Sequence, residues 1–241
     1  MGNQLLVGFS LLIGLTTTVW GLPAEAATLY SEDFSGQNGK GATGGSPTDI
    51  SGVNWTIELN DAALFNGNDY FRVESEAFVA RDTNSGCANV LCLSGGNPNP
   101  IFPAWFSEEI DISEYTNLSF SLDAFGSGTN FEHEVDSPIG EKDFFVVSYL
   151  LDGVEFVADE LITATGSFTD RAVNASVADG STLQLKISLN TTASPESIGF
   201  DNVLIEGDLK ALSPPKGTPE PSSVLGLLGL GSVVAIAKRR K

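Results

Sequence analysis

One histidine, His133, two cysteines, Cys87 and Cys92, and a single methionine are all that 241 residues offer in imidazole and sulfur chemistry. A structural zinc site needs four N or S ligands, which excludes that class. A Ser-His or Cys-His hydrolase would have only His133 as its base. That residue sits in Asn130-Phe-Glu-His-Glu-Val-Asp136, a charged run with no nucleophile or orienting acid marked beside it, and reads as an exposed loop histidine. Positive charge is scarce too: 12 Lys and Arg stand against 31 Asp and Glu, a net charge of -19. Nucleic acid is excluded, because displacing phosphate counterions takes a basic surface. Helical periodicity is missing between residues 28 and 208, and no repeat of fixed period occurs. Disorder is excluded by what is plentiful, since 41% hydrophobic residues with 15 Phe can bury themselves.

The two ends differ from the body. Leu5 to Leu15 is an apolar run too short to span a bilayer, and Ala24-Glu25-Ala26 follows as a small-x-small cleavage pattern for signal peptidase, defining a signal helix over 1–26. At the other end, a linker over 209–218 leads to Pro219-Glu220-Pro221, an uncharged Gly-rich stretch from Ser222 to Ala237, and Lys238-Arg239-Arg240-Lys241. Sixteen helical residues reach about 24 Å, short of a hydrocarbon core of roughly 30 Å, and snorkelling of the basic cluster closes the gap. The four charges hold that side in the cytoplasm and leave 27–218 outside. Residues 219–241 resemble the PEP-CTERM sorting signal of Gram-negative bacteria. The resemblance implies reading by the membrane transpeptidase exosortase, an inner-membrane-anchored precursor, removal or exchange of the tail, and a product at the cell surface or in the extracellular matrix. Outside 27–218 lie two acids, Glu25 and Glu220, and the four terminal bases. The body therefore holds 29 acids and 8 bases, a net charge of -21.

In the body the period is two. Leu118, Phe120 and Leu122 alternate with Ser119, Ser121 and Asp123; Leu183, Leu185, Ile187 and Leu189 alternate with Gln184, Lys186, Ser188 and Asn190. Gly- and Asn-rich turns separate such runs, and Asp152-Gly153 between two apolar stretches signals a type I′ hairpin. Strands are expected at 28–34, 54–59, 70–74, 77–82, 89–94, 104–112, 117–125, 143–151, 154–160, 168–177, 182–190 and 198–206, merging into nine or ten. Over 27–208 this predicts an all-β, two-sheet antiparallel sandwich of jelly-roll type, flanked by the signal helix and a C-terminal transmembrane helix. In an exported protein Cys87 and Cys92 are expected to form a local disulfide.

Two resemblances bear on chemistry. Glu109-Ile-Asp111-Ile-Ser-Glu114 is similar to the E-x-D-x-x-E signature of laminarinase-type glycoside hydrolases, implying Glu109 as nucleophile, Asp111 as helper and Glu114 as acid/base. Against it, Ile110 and Ile112 point inward and Ser113 to Asn117 reads as a turn, so Glu114 leaves the strand that carries Glu109. The body as a whole resembles exported carbohydrate-binding and MAM-like jelly-roll modules, through Ser31-Glu-Asp-Phe, Ile110 to Leu118 and Gly199-Phe-Asp-Asn-Val. That resemblance implies adjacent first and last strands, a structural calcium ion held by Glu32, Asp33 and Asp201, and polysaccharide as partner. Trp55 and Trp105 are the expected sugar-stacking platform. The expectation is a non-catalytic carbohydrate-binding or adhesion module; a hydrolase using Glu109 and Glu114, or a purely structural matrix protein, are the alternatives.

Overall fold

Alternation of apolar and polar residues turns successive side chains to opposite faces of a strand, so each strand written this way must bury one face against another layer. The computed structural model of the chain, which describes residues 26–60, 64–83, 103–128, 131, 143–162, 168–192 and 195–210, shows how this is done. Ala24, the Cys87–Cys92 pair, His133, the sorting motif and the terminal basic cluster lie outside these residues. Thirteen strands are described: β1 Ala27–Glu32, β2 Gly41–Thr43, β3 Trp55–Glu58, β4 Tyr70–Glu74, β5 Ala77–Arg81, β6 Ala104–Ser107, β7 Ile110–Asp111, β8 Tyr115–Ser127, β9 Phe144–Leu151, β10 Val154–Glu160, β11 Arg171–Ser176, β12 Thr182–Asn190 and β13 Ser197–Leu209.

They form two antiparallel sheets. In the seven-stranded sheet the order is β11-β8-β13-β5-β4-β2, with β1 pairing the second half of β13 on the side where β5 pairs the first. In the six-stranded sheet the order is β10-β9-β12-β6-β3, with β7 on β12. The core between them takes Leu118, Phe120 and Leu122 from one sheet and Leu183, Leu185, Ile187 and Leu189 from the other, all buried. At its centre Phe34, Trp55, Phe71, Phe78, Trp105 and Phe200 meet mostly edge to face, with ring centroids 4.8 Å apart for Phe71–Phe78 and 5.2 Å for Trp105–Phe200.

Three details depart from the sequence reading. Among the described residues the strands number thirteen rather than nine or ten, and the strand expected at 89–94 lies outside those residues. The run expected over 104–112 is two strands, because the Ser107 hydroxyl accepts from the Leu185 N–H at 2.9 Å and the Ser107 carbonyl from the Gln184 amide at 2.8 Å. A side chain thus takes over the ladder and ends β6. Strand β2 has only three residues, Gly-Ala-Thr, and no alternation to betray it. The Asp152-Gly153 hairpin is as expected: φ is 51° and 79°, the double left-handed conformation of a type I′ turn.

Strand directions sort the connections. Ala27 lies opposite Gly207, so both ends of the sandwich's chain leave at one end, together with the β7–β8, β9–β10 and β11–β12 connections. The β3–β4, β5–β6, β8–β9, β10–β11 and β12–β13 connections all begin and finish at the opposite end.

Candidate functional site

Because β8 turns Leu118, Phe120 and Leu122 into the core, it turns Ser119, Ser121 and Asp123 out. Its neighbours do the same in register. On β11, Asn174 stands opposite Ser121 and Ser176 opposite Ser119; on β13, Leu204 stands opposite Ser121 and Glu206 opposite Ser119. Beyond β13, Ser31 of β1 pairs Leu204 and Thr28 pairs Glu206. Four strands at 4.7–4.9 Å spacing make a face about 15 Å across. It is built of hydroxyls, an amide and carboxylates, with Leu204 as its apolar centre. A hollow of about 240 Å³ opens over Ser119, Ser121, Asn174, Ser176 and Glu206. A second, of about 360 Å³, opens beside it over Ser31, Asp33 and Asn202. Leu204 lines both.

The second hollow is shaped by two irregularities. The β13 register slips between Asp201 and Leu204 with Asn202 at φ 52°, a bulge that re-aims the side chains around it. The Asn202 amide donates to Asp123 Oδ2 at 2.9 Å and its N–H to Asp201 Oδ1 at 2.7 Å. At the end of β1, Glu32 is 8% exposed. Its Oε1 accepts from the Phe34 N–H at 2.7 Å and the Gln37 amide at 2.9 Å, while Gln37 Oε1 accepts from Trp55 Nε1 at 2.8 Å. This chain holds Phe34 at φ 53°, a conformation a bulky residue rarely adopts, with its ring in the core.

The expected calcium ligands fall here. Burial first, then the charges of Asp33, Asp123 and Glu32, push the Asp201 carboxyl above the usual carboxylate range, so the acids feel one another. They do not close into a cage. Asp33 Oδ1 accepts from the Ser35 N–H, Glu32 from Phe34 and Gln37, and among the described residues no three His, Cys, Asp or Glu side chains converge on a metal position.

Trp55 and Trp105 are elsewhere. They are 2% and 0% exposed and pack in the aromatic core, so neither offers a ring face to a ligand, which corrects the expected platform. The physical reason is phase: each sits on the inward face of its strand. Two described aromatics are exposed instead, Phe65 at 63% and Phe156 at 43%, the latter stacked on Tyr149 at 5.4 Å.

Glu109 and Glu114 are exposed on either side of the two-residue β7, and neither lines a described hollow. Ile112 is fully buried between them. Asp111 accepts from the Ser113 N–H at 2.9 Å, and the Ser113 hydroxyl first, then that N–H, hold its carboxyl below the usual range. The Glu114 carbonyl accepts from the Lys210 N–H at 2.8 Å. These are the bonds of a turn.

Several residues of the polar face, Asn174, Ser176 and Glu206 among them, were not singled out by the sequence. The outward phase of β8 was readable; what joins it to the others is strand order.

Comparisons with known proteins separate body from tail. No curated protein matches the chain by sequence. Among solved structures, the body is similar to the K3 cleaved adhesin domain of Lys-gingipain from Porphyromonas gingivalis, at 11% identity and a TM-score of 0.43, covering 76% of this chain and 99% of that one. It is also similar to a family 29 carbohydrate binding module, at 10% identity and a TM-score of 0.32, covering 64% and 90%. A third is the CBM22-1 xylan-binding domain of a Paenibacillus barcinonensis protein, at 10% identity and a TM-score of 0.31, covering 79% and 100%. At that distance the ligand of this chain has to be argued from its own residues. Residues 218–241, about a tenth of the sequence, match the PEP-CTERM protein-sorting motif: the chain is that of an exported protein with a C-terminal sorting signal.

Proposed function

We propose that the body is a non-catalytic binding module that holds a carbohydrate on the outer face of the seven-stranded sheet, and that the tail delivers it, through exosortase, to the surface or matrix of a Gram-negative cell. The observation that carries this reading is the pair of adjoining hollows sharing Leu204 on an open face of hydroxyl, amide and carboxylate groups. Ser hydroxyls donate and accept, the Asn amide does both through separate atoms, and carboxylates accept, which suits the sugar hydroxyl. A mostly rigid sheet presents these groups at fixed spacing, so little ordering entropy is lost on binding. The hydrolase alternative draws no support from the positions of Glu109 and Glu114, which frame a turn rather than a groove.

The test is a glycan array probed with the full chain in detergent, once with millimolar calcium and once with a chelator. Binding that is lost on Ser121→Trp, a substitution that fills the hollow over Ser119 and Asn174, supports the module. Silence on every glycan in both conditions sinks it and leaves a structural matrix protein. Release of reducing ends from any glycan, abolished by Glu109→Gln, would restore the hydrolase.

A further inference from the structure

The polar face carries acids without bases. Glu206 and Asp123 point outward from neighbouring strands, and Asp201 and Asp33 flank the bulge at its upper edge. No Lys or Arg lines either hollow. The cations of the described residues are engaged elsewhere. Lys40 pairs with Asp49, Arg72 with Glu74, Arg171 with Asp159 and Lys186 with Glu155, each at 2.8 Å, while Lys210 Nζ donates to the Ser113 carbonyl at 2.6 Å. Arg81 ends β5 opposite Ser197, at the other end of β13 from Leu204 and Glu206.

We propose that this face selects a polysaccharide bearing free amino groups, of the de-N-acetylated glucosamine kind, over neutral and uronic-acid polymers. The proposal rests on the reading of the same face as the carbohydrate site and deepens it by charge. A neutral sugar set on the face strips water from Glu206 and Asp123 and returns only neutral hydrogen bonds. A uronate adds like charge to a patch already crowded with it, and like-charge contact at an interface is strongly unfavourable. An ammonium group meets carboxylates in charge-assisted bonds roughly twice as strong as neutral ones. It also relieves the repulsion that Asp33 and Asp123 exert on Asp201. The sharp alternative is that the whole body, at net -21, attracts any polycation without a site.

Calorimetric titration of the full chain in neutral detergent, at low and physiological salt, separates these. The probes are a glucosamine hexasaccharide, its fully N-acetylated counterpart and a galacturonate hexasaccharide. The amine form is expected to bind at least about tenfold tighter than the acetylated form, and the uronate not at all. Glu206→Gln and Asp123→Asn each lower the affinity for the amine form about fivefold, and Ser121→Lys abolishes it. Glu58→Gln removes an exposed acid from β3, the edge strand of the other sheet, and should change affinity less than about twofold. Equal binding of amine and acetylated forms overturns the charge selection while leaving the carbohydrate site standing. Absence of binding to all three, with silence on the array, takes both down. Equal losses in the face and control variants show that net charge alone attracts the polymer, and that also overturns the proposal.

Discussion

The bond chain from Glu32 through Gln37 to Trp55 predicts a large and graded loss of stability. Glu32 is a nearly buried carboxylate at the end of β1, and its Oε1 takes both the Phe34 N–H and the Gln37 amide. Glu32→Ala deletes two charge-assisted acceptor bonds, each contributing about 1.5–3 kcal/mol, in part offset where water reaches the vacated donors. It also releases the Phe34 backbone from φ 53°, a strain of order 1–3 kcal/mol that persists only while neighbours impose it. The Phe34 ring lies against Trp55, Phe78, Trp105 and Phe200, so movement there loosens the aromatic centre. The net expectation is about 3–4 kcal/mol, or a fall in Tm of roughly 6–15 °C for a domain of this size. Glu32→Gln keeps an acceptor at the same place and should cost about 1 kcal/mol. Gln37→Ala leaves the Trp55 N–H buried without its partner and falls between, at about 2 kcal/mol. Thermal and urea unfolding of the full chain followed by tryptophan fluorescence reads all three. A double variant losing clearly less than the sum of Glu32→Ala and Gln37→Ala shows that they act as one network. The reasoning is refuted if Glu32→Ala shifts stability by less than about 1 kcal/mol, or if the Gln and Ala variants are indistinguishable.

Other outcomes follow from the same structure. Gly153→Ala forces a Cβ onto φ 79° and should cost about 1 kcal/mol, whereas Gly67→Ala, with open space and ordinary φ, should be neutral or slightly stabilising; chemical denaturation compares them. Burial, then the neighbouring Asp69 charge, push Asp82 above the usual carboxylate range, so the folded state holds its proton more readily than the unfolded one. Deprotonated Asp82 therefore weakens the fold at neutral pH and ceases to as pH falls through its raised pKa; Asp82→Asn, compatible with φ 46°, should raise Tm at pH 7 by a margin that vanishes in acid. Replacing Pro219, Glu220 and Pro221 by alanine should leave the precursor at full length in membranes, where the unaltered protein is shortened, read by immunoblot of fractionated cells.

Strands and site differ in how far the sequence discloses them. Leu183 to Asn190 reads correctly because one face of β12 is wholly buried, which forces the period of two onto the residues themselves. Asp152-Gly153 reads correctly because the turn it makes tolerates few other pairs. The end of β6 does not, since it depends on Ser107 reaching Leu185, a residue 78 positions away. The site is non-local in the same sense. Ser119 and Ser121 announce an outward face, but Asn174 and Glu206 join it only through the pairing of β11, β8 and β13. Trp55 and Trp105 misled because indole suits a sugar face and a protein core equally well, and only their partners decide: Phe34 and Phe78 for the first, Tyr30 and Phe200 for the second.

Strand order also constrains how an exported chain of this kind can fold. The last described strand, β13, pairs with β8 along its length, with β5 over its first half and with β1 over its second, so it is central to the seven-stranded sheet. Its pairing runs to Leu209, and only nine residues separate that position from Pro219 of the sorting motif. Extended, those nine span at most about 30 Å, less than the roughly 40 Å length of β13 itself. While the tail is attached, the sandwich therefore completes itself beside whatever holds the tail, with Ala27 and Leu209 at the near end. The face strands β1, β8 and β13 run away from that end, and the hollows over Ser121 and Asn202 open on the outer side of their sheet. No residue lining either hollow lies beyond Glu206, so the face draws nothing from the sorting motif or the linker before it.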